Sequence, residues 1–197
     1  MDKKEEKLFN TIAPIYGLFF NFQVRYYQKI LGRVNQIIDL SLYESVIDVG
    51  CGTGALCSVL SGQGFKVTGL DPAQKMLRIA ERKLQNKDVG LLQANILEGT
   101  PLADKSFDLA ISSYVAHGLK EHERRIMYAE MSRIAKHRVI IHDYDEQRAW
   151  HTDFAEWLEG GDYFHFIKNV KIEMAESFKR FQVIRVDSRA AWYLGTP

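Results

Sequence analysis

The sequence has few of the features that are typical of secreted proteins, of proteins stabilised by a bound metal, or of membrane-spanning proteins. It contains only two cysteines, Cys51 and Cys57, whose number and spacing suit neither a disulfide framework nor a zinc site. Its longest apolar runs are far too short to span a bilayer. The charged first residues lack the apolar core of a signal peptide. We therefore expect a cytoplasmic protein with no membrane span and no metal.

Charge of one sign is also lacking. Lys and Arg number 26, Asp and Glu number 25, and the formal net charge is +1. Proteins that bind a polyanion usually carry a basic surplus, so this balance disfavours nucleic acid and anionic membranes as partners. The 46% of hydrophobic residues is ordinary for a globular domain of this length. We expect a small-molecule ligand and a monomer or homodimer.

What the sequence does have, from Val46 onward, is an alternation of short apolar runs with helical patterns. This alternation is typical of a doubly wound parallel sheet. The predicted strands are 46–49, 66–70, 89–93, 107–113 and 138–142, with 181–186 and 190–194 as a closing antiparallel pair. The predicted helices are 55–61, 73–84 and 121–135. The fold class is therefore α/β, Rossmann-like, with a mostly parallel seven-stranded sheet and an antiparallel C-terminal strand.

Two aromatic-rich segments interrupt this alternation. Residues 8–27 and 150–166 together hold 13 of the 23 aromatic side chains. They are Phe9, Tyr16, Phe19, Phe20, Phe22, Tyr26 and Tyr27, then Trp150, Phe154, Trp157, Tyr163, Phe164 and Phe166. Such additions could roof a ligand site beyond the strand ends or simply pack helices on the sheet edges. We expect one domain over 1–197, divided into an N-terminal helical cap (1–44), a core (45–145), an aromatic insertion (146–180) and closing strands (181–197).

Three glycines in five positions follow the first strand and precede a helix. Gly50, Gly52 and Gly54 would let the turn adopt backbone angles closed to other residues and let a ligand approach the main chain. The helix that begins next presents free amides, which attract an anionic group. The pattern indicates a cofactor-binding loop.

Polar residues at three strand ends add to this loop. Asp48 is an acid in an otherwise apolar strand and needs a partner, either the loop amides or the ammonium of an amino-acid-like ligand. Asp71 ends the second strand, 17 residues past Gly54, where a carboxylate can accept both hydroxyls of a ribose. Asn95 follows the third strand and could pair with the edge of an adenine, against which Met76 could pack.

Four segments of the sequence, in the same order along the chain, resemble the motifs of a known enzyme family. Val46–Gly54, Gly69–Pro72, Ala94–Ile96 and Ser106–Ala110 are similar to the successive motifs of class I methyltransferases dependent on S-adenosylmethionine (SAM). The N-terminal Phe9–Tyr16 further resembles the entry segment of the ubiquinone and menaquinone biosynthesis type.

The resemblance implies SAM as cofactor and S-adenosylhomocysteine (SAH) as product. It places the three glycines along the methionine part, Asp71 at the ribose and Asn95 with Ile96 at the adenine, and a tyrosine such as Tyr16 often closes over the cofactor. We assign a further set to the same site: Asp48, Cys51, Pro72, Met76 and Ser112.

The chain departs from the family pattern at three positions. Asn95 replaces the usual aspartate, although its amide oxygen can still accept from an exocyclic amine. Pro72 replaces a common serine, and Gly17 stands where an aspartate is frequent, which weakens the likeness to the quinone subgroup.

For catalysis, a base is needed only if the acceptor is protonated. His117, in the loop after the fourth strand, is the candidate base, and Tyr144, after the fifth, could orient a substrate. We interpret His142, within an apolar strand, as a core residue or as one that supports the site from behind. The charges of Lys120–Arg125 and the acids Asp143, Asp145 and Glu146 are expected to be solvated. The three acids could also suggest a metal site, but clustered acids of this kind are more often solvated.

These residues favour in-line methyl transfer to a small, partly apolar molecule, and they do not identify the atom that is methylated. Two alternatives stay open. One is a non-catalytic SAM- or SAH-binding regulatory module. The other is an NAD-dependent oxidoreductase, since Gly50-x-Gly52-x-x-Ala55 loosely fits a dinucleotide fingerprint, although no Tyr-x-x-x-Lys pair accompanies it.

Overall fold

The computed structural model describes residues 3–145 and 163–197, with side chains from Phe9 onward. The strands within these ranges are β1 (Ser45–Val49), β2 (Lys66–Asp71), β3 (Val89–Gln93), β4 (Phe107–Ser113), β5 (Ala135–Tyr144), β6 (Arg180–Arg185) and β7 (Ala190–Thr196). The α-helices are α1 (Lys3–Leu18), α2 (Phe20–Val34), α3 (Ala55–Gly62), α4 (Gln74–Leu84), α5 (Glu121–Ile134) and α6 (Tyr163–Ser177). Short 3₁₀ turns lie at Leu40–Leu42, Ile96–Glu98 and Ala116–Gly118.

The strands form one seven-stranded sheet in the order β3-β2-β1-β4-β5-β7-β6. Strand β7 is antiparallel to both of its neighbours, and the other neighbouring pairs are parallel. The predicted α/β class, with a mostly parallel sheet and an antiparallel C-terminal strand, is confirmed. Because the chain leaves β1 for β2 on one side and later returns to β4 on the other, the order reverses between β1 and β4. Ligands of such sheets bind at this reversal, beyond the carboxyl ends of the strands.

Alternation along β1 sends side chains to two separate apolar layers. Val46 faces the layer that includes residues of α2, α3 and α4. Ile47 and Val49 face the layer that includes residues of α5 and α6. Both faces of the sheet are therefore covered, as a parallel sheet requires. No helix in the described residues is both long and apolar enough to cross a membrane.

Strand β5 begins at Ala135, three residues earlier than the sequence indicates. Ala135 pairs with Phe107 at a point where the register between β4 and β5 shifts. The added residues Lys136 and His137 are exposed, so no apolar run marks them as strand. Helix α5 accordingly ends at Ile134, and the strand follows it with no intervening loop.

The start of α5 is not uniformly solvated, which corrects the expectation for Lys120–Arg125. Arg124 is fully buried, and its guanidinium donates two hydrogen bonds of 2.7 Å to the carboxylate of Glu173 on α6. A buried charge needs such a partner. The sequence interpretation failed here because Glu173 is 49 residues away.

Candidate functional site

A cavity of about 880 Å³ lies at the carboxyl ends of β1, β2, β4 and β5. Its volume is in the range of small-molecule and cofactor sites. Most of the sequence-predicted site residues line it: Tyr16, Asp48, Gly50, Cys51, Gly52, Asp71, Pro72, Met76, Asn95, Ile96, His117 and Tyr144. Residues that are far apart in the chain are thus brought together at one edge of the sheet.

The glycine loop is tied to the end of β2. The amides of Gly50 and Cys51 both donate to the carbonyl of Leu70, at 2.7 and 3.0 Å. Gly52 has a φ of +53° and lines the cavity, and a Cβ built on it would meet no atom within 4 Å. A side chain at this position would therefore project into open space beside the cavity, where the bare backbone leaves room for a ligand.

Gly54 and Ser112 are placed elsewhere than the sequence analysis expects. Neither lines the cavity. A Cβ on Gly54 would lie 2.7 Å from Cδ1 of Leu84, so this glycine lets α3 approach α4. The Ser112 hydroxyl donates to the carbonyl of Val49 at 2.9 Å and joins two strand ends. Both residues support the loop from behind.

The Asp71 carboxylate holds the loop and the start of α4. Its two oxygens each accept a backbone hydrogen bond of 2.8 Å, one from Gly52 and one from Ala73. Burial raises the pKa of Asp71 to about 6, against the opposing effect of the two amides. The carboxylate borders the cavity, and each oxygen keeps acceptor capacity beyond its one amide partner.

Asp48 is almost completely buried and borders the same cavity. Its carboxylate accepts a hydrogen bond from the Cys57 thiol at 3.2 Å. Burial raises the pKa of Asp48 to about 7, and the nearby Asp71 adds to the rise. A weak thiol donor does little to stabilise a buried anion, so this site favours a cationic ligand group.

Asn95 uses its side-chain amide locally. Its Oδ1 accepts from the Leu97 amide at 3.2 Å and its Nδ2 donates to Glu98 at 2.8 Å. The residue thereby caps the short turn Ile96–Glu98. Asn95 and Ile96 lie on the cavity wall at the end of β3.

His117 pairs with Asp143, an acid that the sequence analysis expected to be solvated. Asp143 is fully buried, and its carboxylate accepts three hydrogen bonds: from Nδ1 of His117 at 2.8 Å, from the His117 amide at 3.2 Å and from the Tyr144 amide at 2.8 Å. Because a carboxylate only accepts, the proton of neutral His117 lies on Nδ1 and Nε2 is its basic nitrogen.

The other two members of that acidic set differ from Asp143. Asp145 is also buried, which again departs from the expectation, and it accepts from Nε of Arg185 at 2.6 Å. Glu146 lies outside the described residues. The sequence analysis missed these contacts because each acid pairs with a residue from another segment of the chain. Asp143 pairs with His117, and Asp145 pairs with Arg185.

Aromatic rings form the wall around His117. Tyr144 meets the His117 ring edge-to-face at a centroid distance of 4.9 Å, and Tyr163 meets Tyr144 at 5.1 Å. Tyr114 lies 5.2 Å from Tyr144 and has a φ of +56°, which is costly for a residue with a side chain.

The aromatic segments contribute in part to the site: Tyr163 lines it, Phe166 is in the core, and Trp150, Phe154 and Trp157 lie outside the described residues.

Helix α2 covers the cavity through a hydrogen-bond network. The Tyr26 hydroxyl lies 2.6 Å from the Tyr114 hydroxyl, and the Tyr27 hydroxyl lies 3.0 Å from Oγ of Ser113. Ser113 in turn contacts Nδ1 of His142 at 3.0 Å. Burial lowers the pKa of His142 to about 4, so this ring is neutral and serves as a structural link.

Sequence reasoning did not assign two parts of the cavity wall: the tyrosine pair on α2 and the turn between β6 and β7. Tyr26 and Tyr27 carry a signal, since they belong to the aromatic N-terminal segment. The turn Asp187–Arg189 between β6 and β7 carries none. It reaches the cavity because the Asp145 amide, just past the end of β5, donates to the carbonyl of Arg189 at 2.9 Å.

Comparison with known proteins finds methyltransferases among both family models and individual relatives. A family model described as a methyltransferase domain matches residues 47–141. An uncharacterized methyltransferase of Geobacillus sp. is 30% identical over 167 residues, which cover 81% of this chain and 76% of that protein. The demethylmenaquinone methyltransferase of Thermotoga maritima is 31% identical over 144 residues, which cover 69% of this chain and 58% of that protein.

A solved structure has the same fold. The magnesium protoporphyrin IX methyltransferase of Synechocystis PCC 6803, with bound SAH, aligns at a TM-score of 0.65 and 18% identity over 87% of this chain and 82% of the other. These matches leave the dehydrogenase and the purely regulatory module without support. The matched motifs, the strand order and the loop at β1 agree on one conclusion: the chain belongs to the class I methyltransferases and is an enzyme that uses SAM as its cofactor.

Proposed function

We propose that this methyltransferase transfers the methyl group to a small, partly apolar acceptor bound in the 880 Å³ cavity, with His117 as general base. The observation that carries the proposal is that the glycine loop and the His117–Asp143 pair border the same cavity. The cap and the β6–β7 turn border it too, through Tyr16 and Arg189, which supports one catalytic unit rather than separate domains.

The residues at the loop fit the cofactor. The bare backbone at Gly52 leaves room for the methionine part, and the poorly compensated carboxylate of Asp48 suits an ammonium group. Asp71 has lone pairs left for ribose hydroxyls, and the adenine would lie against the wall formed by Asn95 and Ile96. When bound, SAM supplies an electrophilic methyl carbon on a sulfonium.

The opposite end of the cavity would receive the acceptor. The wall of His117, Tyr144, Tyr114 and Tyr163 is apolar on its ring faces and polar at its edges, which suits a partly apolar molecule. The name of the Thermotoga relative, a demethylmenaquinone methyltransferase, agrees with an acceptor of this kind. Catalysis requires the wall to hold the acceptor atom within about 3–3.5 Å of the methyl carbon and to keep water away.

His117 is the residue that would move a proton. With Nδ1–H bonded to Asp143, Nε2 can accept the acceptor's proton, and the Asp143 carboxylate then stabilises the imidazolium. Tyr144, packed edge-to-face on the His117 ring, would hold the ring plane and border the acceptor. In this arrangement Asp143 positions His117 and does not itself touch the acceptor.

The test is a screen of small metabolites for SAM-dependent SAH release, with mass spectrometry of the methylated product. For an acceptor found in this way, we expect His117→Gln to lower kcat by about 10²- to 10⁴-fold while the Kd for SAM stays unchanged. His122→Gln, at an exposed histidine on α5, is the matched control and should retain full activity. Wild-type turnover by His117→Gln would exclude the base role, and no SAH release with any acceptor would overturn the proposed reaction.

A further inference from the structure

The outer face of the N-terminal helices carries a stripe of exposed apolar side chains. Ile15, Leu18, Phe19 and Phe22 are 55%, 82%, 55% and 71% exposed. Elsewhere in the described residues Ile37, Leu42 and Ile172 are exposed to the same degree, and no other such group lies so close together in the sequence. A contiguous exposed apolar surface in an otherwise ordinary protein indicates contact with a partner or a membrane.

The four side chains share one side of the helical cap. Their spacing of three, one and three residues is that of one helix face. The backbone between α1 and α2 stays nearly helical, because Phe19 has φ −87° and ψ 1° and its carbonyl accepts from the Gln23 amide at 3.0 Å. The neighbouring side of the cap lines the cavity through Ile12, Tyr16 and Gln23. We call the four residues the apolar stripe.

The segment that carries the apolar stripe has charged residues of one sign only. The 31 residues from Leu8 to Ile38 contain no Asp or Glu, although the whole chain has 25 acids. Arg25 and Lys29 follow Phe22 at helical spacing on α2, and both are exposed. Neither forms an ion pair within the described part of the chain, whereas Arg33 contacts Asp187 at 3.4 Å. The charge of Lys29 also acts on Asp187 and helps to lower the pKa of that carboxyl. The near-neutral total charge conceals this local basic surface.

We propose that the apolar stripe and the adjacent cations dock the protein on the surface of an anionic lipid bilayer. Exposed Leu and Phe side chains can enter the headgroup region, while Arg and Lys are attracted to acidic lipids. This combination favours an anionic membrane over a second copy of the chain, since two such cationic surfaces would repel each other. The proposal does not depend on the acceptor or on His117.

The test is co-sedimentation of the full-length protein with vesicles of phosphatidylcholine alone and of equal parts phosphatidylcholine and phosphatidylglycerol. We expect binding to the acidic vesicles that weakens as salt is raised and is at least tenfold weaker with phosphatidylcholine alone. Leu18→Asp should reduce binding at least tenfold, and the double variant Arg25→Gln/Lys29→Gln about fivefold for each cation removed.

Matched controls separate docking from general effects of charge. Ile172→Asp introduces the same change at a residue that is 57% exposed on α6, and Lys168→Gln/Lys179→Gln removes two exposed cations there and beyond it. Both should bind like the wild type. Phe22→Ser serves as a second stripe variant if Leu18→Asp alters the circular dichroism spectrum.

Three results would overturn the proposal. One is no binding of the wild type to acidic vesicles, and another is equal loss of binding in the stripe and control variants. The third is a dimer in sedimentation velocity that Leu18→Asp dissociates, since the apolar stripe would then be covered by a second copy.

Discussion

At the scale of single residues, two buried carboxylates shape the end of the cavity at the glycine loop. Asp71 is stabilised by two backbone amides, whereas the only donor to Asp48 among the described residues is the Cys57 thiol. Burial without strong donors is why the pKa of Asp48 rises to about 7. We infer that Asp48 is kept as an acid for ligand binding at a cost to the stability of the free protein.

The first prediction concerns Asp48→Asn in the absence of ligand. A carboxyl whose folded pKa is raised contributes stability that is fully present below its unfolded pKa near 4 and is lost as pH rises through about 7. The loss is at most about 4 kcal/mol. Above pH 7, Asp48→Asn should therefore unfold at a higher temperature than the wild type, and the difference should shrink toward pH 4.

Thermal unfolding of both proteins across this pH range, followed by circular dichroism, measures the effect. Calorimetric titration with SAM should show the opposite change, a weaker affinity of Asp48→Asn. If Asp48→Asn were less stable than the wild type at pH 8, the inference about Asp48 would be wrong.

Sequence reasoning identified Asp48 and Asp71 because an acid at the end of a buried strand is unusual in itself. It could not identify Asp143 in the same way. That residue also ends a buried strand, but the two acids after it suggested a solvated cluster. Only the fold shows that the loop after β4 brings His117 against it.

At the scale of elements, the glycine loop separates ligand space from helix packing. Gly52 and Gly54 both have positive φ, at +53° and +81°. A Cβ would find open space at Gly52 but would lie 2.7 Å from Cδ1 of Leu84 at Gly54. The two glycines of this loop therefore have different roles: Gly52 leaves space beside the cavity, and Gly54 allows close packing of α3 and α4.

The second prediction compares Gly52→Ala with Gly54→Ala. Positive φ costs an alanine about 1–2 kcal/mol at either position, and overlap with α4 adds about 1–3 kcal/mol at Gly54 only. Urea unfolding should therefore rank Gly54→Ala as the less stable variant. Calorimetry should find that Gly52→Ala, although more stable, binds SAM at least tenfold more weakly than the wild type. Unchanged SAM affinity in Gly52→Ala would show that the ligand does not approach this backbone.

Helices α5 and α6 are joined by a buried ion pair, and the third prediction tests it. Glu173→Gln leaves the Arg124 guanidinium buried without its counter-charge, so the free energy of unfolding should fall by about 3–5 kcal/mol. Glu176→Gln removes an exposed partner of Arg125 and should cost less than about 1 kcal/mol. Equal effects of the two variants in urea unfolding would refute the buried pair as the stabilising contact.

Most elements could be predicted from the sequence because their apolar residues follow the period of a strand or a helix. The bounds of β3 and β4 were predicted to the residue. The start of β5 was not, because Lys136 and His137 are exposed and polar and obey no apolar pattern. The Arg124–Glu173 contact was equally inaccessible, since no local rule pairs residues 49 apart.

At the scale of the whole molecule, the cavity is built from segments distant in sequence. The cap contributes Tyr16 and Tyr26, the core contributes the glycine loop and His117, and the β6–β7 turn contributes Arg189. The part of the cavity formed by residues 45–145 could be predicted because the glycine loop and the strand-end motifs occur there in a recognisable order. The turn was not, since its place beside β5 depends on the antiparallel insertion of β7 between β5 and β6.

The central claim, that SAM binds at the loop after β1 with Asp71 at its ribose, is tested most directly by calorimetric titration of SAM. The wild type and the exposed-acid control Asp88→Ala should each show a single site of the same affinity. Asp71→Ala and Asp71→Asn, checked for folding by circular dichroism, should lose binding at least tenfold. Wild-type affinity in a folded Asp71→Asn, or no binding of SAM and SAH to the wild type, would contradict the claim.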